Sequence, residues 1–259
     1  MMPNVLSIAG FDPTSGAGVS ADVKTAAAFK CYALSVISAI TVQNSSGVSD
    51  VRAIDAELFK KQMENLLSDV PVQAVKTGLL MPAENIMIAA KILSSRGIGK
   101  IVVDPIISSS SGFSFQGEEE IAAMKKYLLP AAEVITPNIN EASILTGIRV
   151  FDLETMKEAA KQIYALGVKY VVIKGGHLEG AATDLLYDGK RFNLFDAPRT
   201  KTANFHGLGC AYSMALACLL AKGEQVYNAV DGAKKYIRKL MSYPLEIGKG
   251  SPVLDHTGR

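Results

Sequence analysis

The sequence predicts an α/β fold, a single three-layer α/β/α domain around a mostly parallel sheet with a few antiparallel edge strands. Three observations carry that prediction. Short β-branched runs alternate with longer segments of helical periodicity, nearly every run stops at a polar residue, and one hairpin signal falls late in the chain. In order, residues 5–9, 34–42, 72–76, 101–104, 133–136 and 170–174 read as strands joined by helices, the pattern of a parallel sheet covered on both faces. Asp55 and Glu57 open a helix ending near Ser68, and Asp152 caps another ending at Gly167. Asp188-Gly189, between strand-like residues 183–187 and 191–195, predicts a hairpin and hence antiparallel strands near one edge. Two helices close the fold, and residues 243–259, with Gly248, Gly250, Pro252 and Gly258, read as a loosely ordered tail of the one domain spanning 1–259.

Composition narrows the function. With 259 residues and 49% hydrophobic content the chain buries a large core. Lys and Arg number 27 against 25 Asp and Glu, a net charge of +2, without the concentrated basic stripe of a nucleic-acid binder. The longest apolar runs, residues 33–42 and 211–220, are too short to span a bilayer, and the first residues lack the form of a signal peptide, so no membrane partner and a cytoplasmic location are expected. Cys31, Cys210 and Cys218 are odd in number and have no metal-ligand spacing, which argues against a disulfide framework and a structural zinc.

The stretch Phe205-His206-Gly207-Leu208-Gly209-Cys210, running into an apolar helix, is the most informative motif. Its glycines admit close backbone approach, and the helix start offers unpaired N–H groups and a positive dipole end to an anion. Cys210 stands at that mouth, where a helix N-terminus is expected to lower a thiol pKa from about 8.5 toward neutrality. A glycine turn that merely starts a buried helix, with Cys210 as a small hydrophobe, is the competing reading. His206 either orders the cradle loop through a hydrogen bond or packs beside it. No Walker A sequence occurs, so phosphoryl transfer would have to rest on this cradle.

Other polar residues fall where the carboxyl ends of parallel strands would line a crevice. Residues 10–18 follow the first strand, and their tail through Ala21 fits a GxGxxA fingerprint; Thr41-Val42-Gln43-Asn44 lacks the acidic residue a dinucleotide fold wants at its second strand. The loop instead frames a small substrate, with Asp22 facing it or favouring a helix N-terminus. Gln43 donates and accepts at once, so it can read an aminopyrimidine edge, or it serves a turn. Asp104 before Pro105, and Asn138 with Glu141, put two carboxylates at neighbouring strand ends; these suit Mg²⁺, which takes one or two protein oxygens plus nucleotide phosphates. A turn before proline and a first-turn helix carboxylate are the plainer readings of the two. Lys174, before Gly175-Gly176-His177, can act as a point charge for phosphates, and His177 reads as a solvated loop residue.

The ordered set, residues 10–18 with Ala21-Asp22, Thr41-Val42-Gln43-Asn44, Lys76-Thr77-Gly78, Asp104-Pro105, Ile135-Thr136-Pro137-Asn138 to Glu141, Lys174 to His177 and residues 206–210, resembles the hydroxymethylpyrimidine/phosphomethylpyrimidine kinases of thiamine biosynthesis. These are ribokinase-like enzymes, and the resemblance runs from about residue 4 to about residue 242. It implies ATP- and Mg²⁺-dependent phosphorylation of 4-amino-5-hydroxymethyl-2-methylpyrimidine and of its monophosphate, often by a homodimer. It further implies substrate contacts at Gly10, Asp22 and Gln43, with Leu79 and Ile106 shaping the pocket; a metal region at Asp104 and Glu141; and nucleotide contacts at Lys174, Asn138 and His206. Gly207, Leu208, Gly209 and Cys210 become the anion hole, with Cys210 where related enzymes usually place an aspartate base. Leu208 stands where the family usually has threonine or alanine, Phe11 and Ser15 where it has serine and glycine, and Leu79 where it has methionine. Ile106-Ile107-Ser108-Ser109 replaces a more hydrophobic run. Pyridoxine or pyridoxal kinase, and a non-catalytic pyrimidine or nucleotide sensor, are the rival functions.

Overall fold

The computed structural model describes residues 2–109, 112–176, 182–198 and 205–257. Nine strands form one sheet: β1 (Asn4–Phe11), β2 (Tyr32–Asn44), β3 (Gly47–Ala53), β4 (Ala74–Thr77), β5 (Ile101–Val103), β6 (Val134–Ile135), β7 (Tyr170–Ile173), β8 (Asp184–Tyr187) and β9 (Phe192–Phe195). Their order is β3-β2-β1-β4-β5-β6-β7-β8-β9. The run from β2 to β7 is parallel, and β3, β8 and β9 join antiparallel at the two edges. The chain leaves β1 toward one edge and returns to β4 on its other side, so the order reverses at β1. Such a reversal opens a crevice beyond the strands' carboxyl ends.

Strand residues alternate between two cores, as the two-residue period demands. Leu6, Ile8, Ile101, Val103, Val171 and Ile173 pack with α2 (Ala56–Asp69), α3 (Ala83–Ser95), α5 (Ile139–Thr146) and α6 (Leu153–Tyr164), while the short α4 (Glu118–Ala123) adds Ala123 to this core. Val5, Val102, Val134 and Val172 face the opposite way, toward α7 (Leu208–Ala221), α8 (Val226–Met241) and α1 (Gly18–Ala28). Buried on nearly every side, α7 is apolar all round, as a helix sandwiched between sheet and helices must be.

Local signals account for most boundaries. Asp55 accepts from the Leu58 N–H at the start of α2, and Asp152 accepts from the Thr155 N–H at the start of α6. The Asp188-Gly189 turn joins β8 to β9 with Gly189 at φ 87°. Two features depart from the sequence reading. Asn44 to Gly47 is itself a hairpin turn, and β3 extends β2 beyond the parallel sheet. The end after Tyr243 is tied down: β10 (Pro244–Leu245) pairs with β11 (Val253–Leu254), whose side chains are buried. Ser251 N–H donates to the Ser45 carbonyl at 2.9 Å, and His206 N–H donates to the Pro252 carbonyl at 2.9 Å.

Phe59 of α2 is fully buried in the first core. Phe59→Ala is expected to lower stability by about 3–5 kcal/mol, through lost burial plus an unfilled cavity, in denaturant unfolding followed by circular dichroism.

Candidate active site

The loop after β1 is folded by one carboxylate. Asp12 Oδ1 accepts from the Thr14 N–H at 2.8 Å, and its Oδ2 accepts from Thr14 Oγ1 and from the Ala17 N–H, each at 2.9 Å. This brings Gly16 onto the start of α7. A Cβ on Gly207, the N-cap residue at φ 86°, would stand 1.9 Å from the Gly16 carbonyl oxygen, so only glycine fits there. The amides of Leu208, Gly209 and Cys210 open the helix without intrahelical acceptors. Both glycines of the motif are therefore used: Gly207 admits the loop, and Gly209 admits charged side chains.

Gly209 borders a charged cluster. A Cβ there would lie 3.3 Å from Lys174 Nζ and 3.5 Å from Asp104 Oδ2. Lys174 Nζ donates to Asp104 Oδ1 at 3.1 Å, and Asp104 Oδ2 accepts from Ser213 Oγ of α7 at 3.2 Å. Asn138 and Glu141 form a reciprocal cap on α5: Asn138 N–H donates to Glu141 Oε2 at 2.8 Å, and Glu141 N–H donates to Asn138 Oδ1 at 2.9 Å. Burial pushes the Glu141 carboxyl up to about 7; Lys174 opposes this and the nearby Asp104 charge adds to it. The three strand-end groups Asp104, Glu141 and Lys174 thus share one electrostatic environment, as the sequence led us to expect.

A second ion pair lies deeper. Lys76 Nζ of β4 donates to Asp22 Oδ2 at 2.8 Å and Oδ1 at 3.1 Å, and Ser7 Oγ donates to the same carboxylate at 2.5 Å. Asp22 and Lys76 are both 0% exposed. Asp22, expected to face the substrate, is instead spent on Lys76 and Ser7. Cys210 sits above this pair, and here the structure corrects the expected low thiol pKa. Burial pushes the Cys210 thiol up to about 11; Lys76 and the Gly18 N–H pull down, while Asp22 and Asp104 push up further. Exclusion of water outweighs the helix end.

The substrate-side expectations gather on the other flank. Leu79 is buried against Gly10, where a Cβ would meet its Cδ2 at 3.0 Å, and its carbonyl accepts from Ser38 Oγ. Ile106 is half-buried beyond Asp104. Gln43 and Asp12 both reach His206 Nε2, at 2.9 and 2.7 Å. His206, expected on the nucleotide side, therefore directs that nitrogen to the Asp12 loop after β1 and to Gln43. Asp12 and Ser213 drew no attention in the sequence, although Asp12-Pro13-Thr14 is a turn signal. His177 lies outside the described residues.

The phosphomethylpyrimidine kinase family profile matches residues 12–255. The chain belongs to that family. It is 42% identical to the hydroxymethylpyrimidine/phosphomethylpyrimidine kinase of Rhizobium meliloti, over 98% of this chain and 97% of that one. It is also 38% identical to the thiamine biosynthesis bifunctional protein ThiED of Geobacter sulfurreducens, over 98% of this chain; there it spans about half of the relative's length, 52%. Among solved structures, the ADP complex of Bacillus subtilis pyridoxal kinase superposes with a TM-score of 0.91 at 33% identity, over 100% of this chain and 98% of that one. Phosphomethylpyrimidine kinase from Clostridium difficile gives 0.82 at 38% identity, over 92% and 99%. The architecture is the ribokinase-like fold of these kinases.

Two expectations follow from the family member's buried groups. Lys76→Met leaves the Asp22 charge unpaired and is expected to cost about 3–5 kcal/mol, whereas Lys76→Met with Asp22→Leu recovers most of it; urea unfolding of the three proteins measures both. Cys210 is expected to react with iodoacetamide far more slowly at pH 8 than a free thiol, its rate climbing only toward pH 11; mass spectrometry of the Cys210 peptide reads this directly.

Proposed function

We propose that this chain transfers the γ-phosphoryl group of ATP to the hydroxymethyl oxygen of 4-amino-5-hydroxymethyl-2-methylpyrimidine, and then a second phosphoryl group to the monophosphate. The observation that carries the reading is the start of α7, whose free amides lie between the substrate-side loop at Gly16 and the Lys174–Asp104 pair at Gly209. An anion held there touches both halves of the crevice. The ADP complex of the Bacillus subtilis pyridoxal kinase supports a nucleotide as co-substrate.

The chemistry is mainly positioning and electrostatics, because phosphoryl transfer asks little covalent work of the protein. The amides of Leu208, Gly209 and Cys210 receive developing charge on the transferred group, and Lys174 neutralises phosphate oxygens. Asp104 and Glu141 fit a Mg²⁺ ion: two adjacent carboxylates, one of them held near neutrality by burial and the other's charge, gain from a cation that also binds phosphate. Bound there, Mg²⁺ would screen the phosphate charge. Cys210 faces the acceptor alcohol, and as a base it must lose its proton within the complex, with buried Lys76 as its counter-charge. Backbone donors survive Leu208 in place of the family's small residue. We place the enzyme in the cytoplasm as a homodimer, with Ile40 and Val42, exposed along the β2–β3 edge, as surface for pairing; no helix among the described residues is long and apolar enough to cross a membrane.

Pyridoxal phosphorylation is the second reading, favoured by the likeness to the pyridoxal kinase. The greater identity to pyrimidine kinases, and a Gln43 amide suited to an amine beside a ring nitrogen, favour the first. The complete set of charged positions weighs against a sensor without turnover.

In an ATP-coupled assay across candidate alcohols, the aminopyrimidine is expected to outpace pyridoxal in kcat/KM; a clear pyridoxal preference overturns this assignment. Cys210→Ala is expected to lose about 10²–10⁴-fold in kcat on the alcohol and less on the monophosphate, which needs little or no base. Activity within a few-fold of wild type on the alcohol rejects the base role.

A further inference from the structure

His206 Nε2 has two polar neighbours, and they make incompatible demands unless the proton is placed with care. Asp12 Oδ2 lies 2.7 Å away and Gln43 Nε2 lies 2.9 Å away. Burial pushes the Asp12 carboxyl up, but the bonds from His206 and Thr14 outweigh it and leave it below its ordinary value. A carboxylate at 2.7 Å requires a donor, so Nε2 carries the proton in either the neutral or the charged ring. A protonated nitrogen cannot accept from the Gln43 amide nitrogen.

A second conflict lies at the other end of the same amide. Thr41 Oγ1 is 3.1 Å from the Phe11 carbonyl oxygen and 3.2 Å from Gln43 Oε1, two acceptors for one hydroxyl hydrogen. Amide oxygen and nitrogen are told apart only by their partners. Exchanging them removes the donor-to-donor contact at His206 and leaves the Thr41 hydroxyl hydrogen to Phe11 alone, so the one hydrogen still shared is that on His206 Nε2. Thr41 then donates to Phe11 and accepts from the Gln43 NH₂, while the Gln43 oxygen accepts from His206 Nε2–H, shared with Asp12.

We propose that Asp12 and His206 are positioning residues that fix the polarity of the Gln43 amide, and so make the enzyme selective for an aminopyrimidine edge. This rests on the function proposed above. The amide is held by one lone pair of its oxygen and one hydrogen of its nitrogen. Its far edge keeps one acceptor on the His206 side and one donor on the Thr41 side. An exocyclic amine beside a ring nitrogen needs this pair, and a reversed amide would set donor against donor. The same Asp12 carboxylate folds the loop that seats on Gly207, which couples loop closure to amide orientation.

Two measurements on the full-length protein test this. Long-range ¹H–¹⁵N spectra of histidine-labelled enzyme report the ring tautomers of its three histidines, and loss of one signal set in His206→Asn assigns His206. A proton on Nε2 in the free wild type is expected; an Nε2 without one overturns the relay whatever the substrate proves to be. Asp12→Asn removes the anion that demands this proton. Its ratio of kcat/KM for the aminopyrimidine alcohol over pyridoxal is expected to fall about tenfold or more, the worth of one well-made hydrogen bond, with the loss in KM for the pyrimidine. Equal losses on both substrates, or a raised KM for ATP alone, would show that Asp12 only orders the loop and would overturn the selectivity role. If wild type turns over pyridoxal but not the pyrimidine, the functional assignment fails separately, and the relay stands or falls on the tautomer.

Discussion

The contact on which the site depends is the seating of the Gly16 carbonyl against Gly207, in a space that no side chain could share. It joins the loop after the first strand to the start of the buried helix α7, two segments nearly two hundred residues apart in the chain. It sets the opening amides of α7 between the loop at Gly16 and the charged pair beside Gly209, the place where the proposed function holds its anion. The left-handed backbone at Gly207, the Asp12 turn and the His206 contact all serve this one approach.

Beneath the seat, charges alternate across the sheet: Asp22 pairs with Lys76, and Asp104 with Lys174, with Glu141 beside them. Each carboxylate pushes its neighbours' proton affinity up and each lysine pulls it down, so removing one member of either pair leaves its partner's charge unpaired. That arrangement explains why a helix N-terminus does not yield a free thiolate at Cys210. The dipole offers a fraction of a charge at a surface, whereas the thiol here is enclosed, and its burial together with two carboxylates outweighs the lysines that favour its anion.

Much of this was legible in the sequence, and the reason is geometric. In a parallel sheet the chain reports the site by ending strands on polar residues, so Asp104, Asn138, Glu141, Lys174 and the glycines near Cys210 were readable as one constellation, and the structure brings them together. What escaped depends on contacts between distant segments. The β3 strand has weak alternation and forms because β2 outgrows its parallel neighbour. The end of the chain looked loose by composition, yet two short backbone pairings and the burial of Val253 and Leu254 hold it beside His206. Asp22 carried the right chemistry but the wrong partner, because only the fold reveals that Lys76 lies across from it.

The TM-score of 0.91 against the pyridoxal kinase spans 100% of this chain and the 0.82 against phosphomethylpyrimidine kinase spans 92%, so the two scores do not rank the acceptors. Superposition weighs every residue alike, and most of the chain builds the sheet and the helices that cover it. In the proposed reading, discrimination between heterocycles falls to the few groups around Gly10, Leu79 and Gln43, whose displacement by one side chain hardly moves an overall score. An amide reads donor and acceptor with equal ease in either direction, so Gln43 alone recognises nothing until something fixes its polarity. In the proposed relay, choice of substrate is governed less by the residue that would touch the ring than by the carboxylate and imidazole standing behind it.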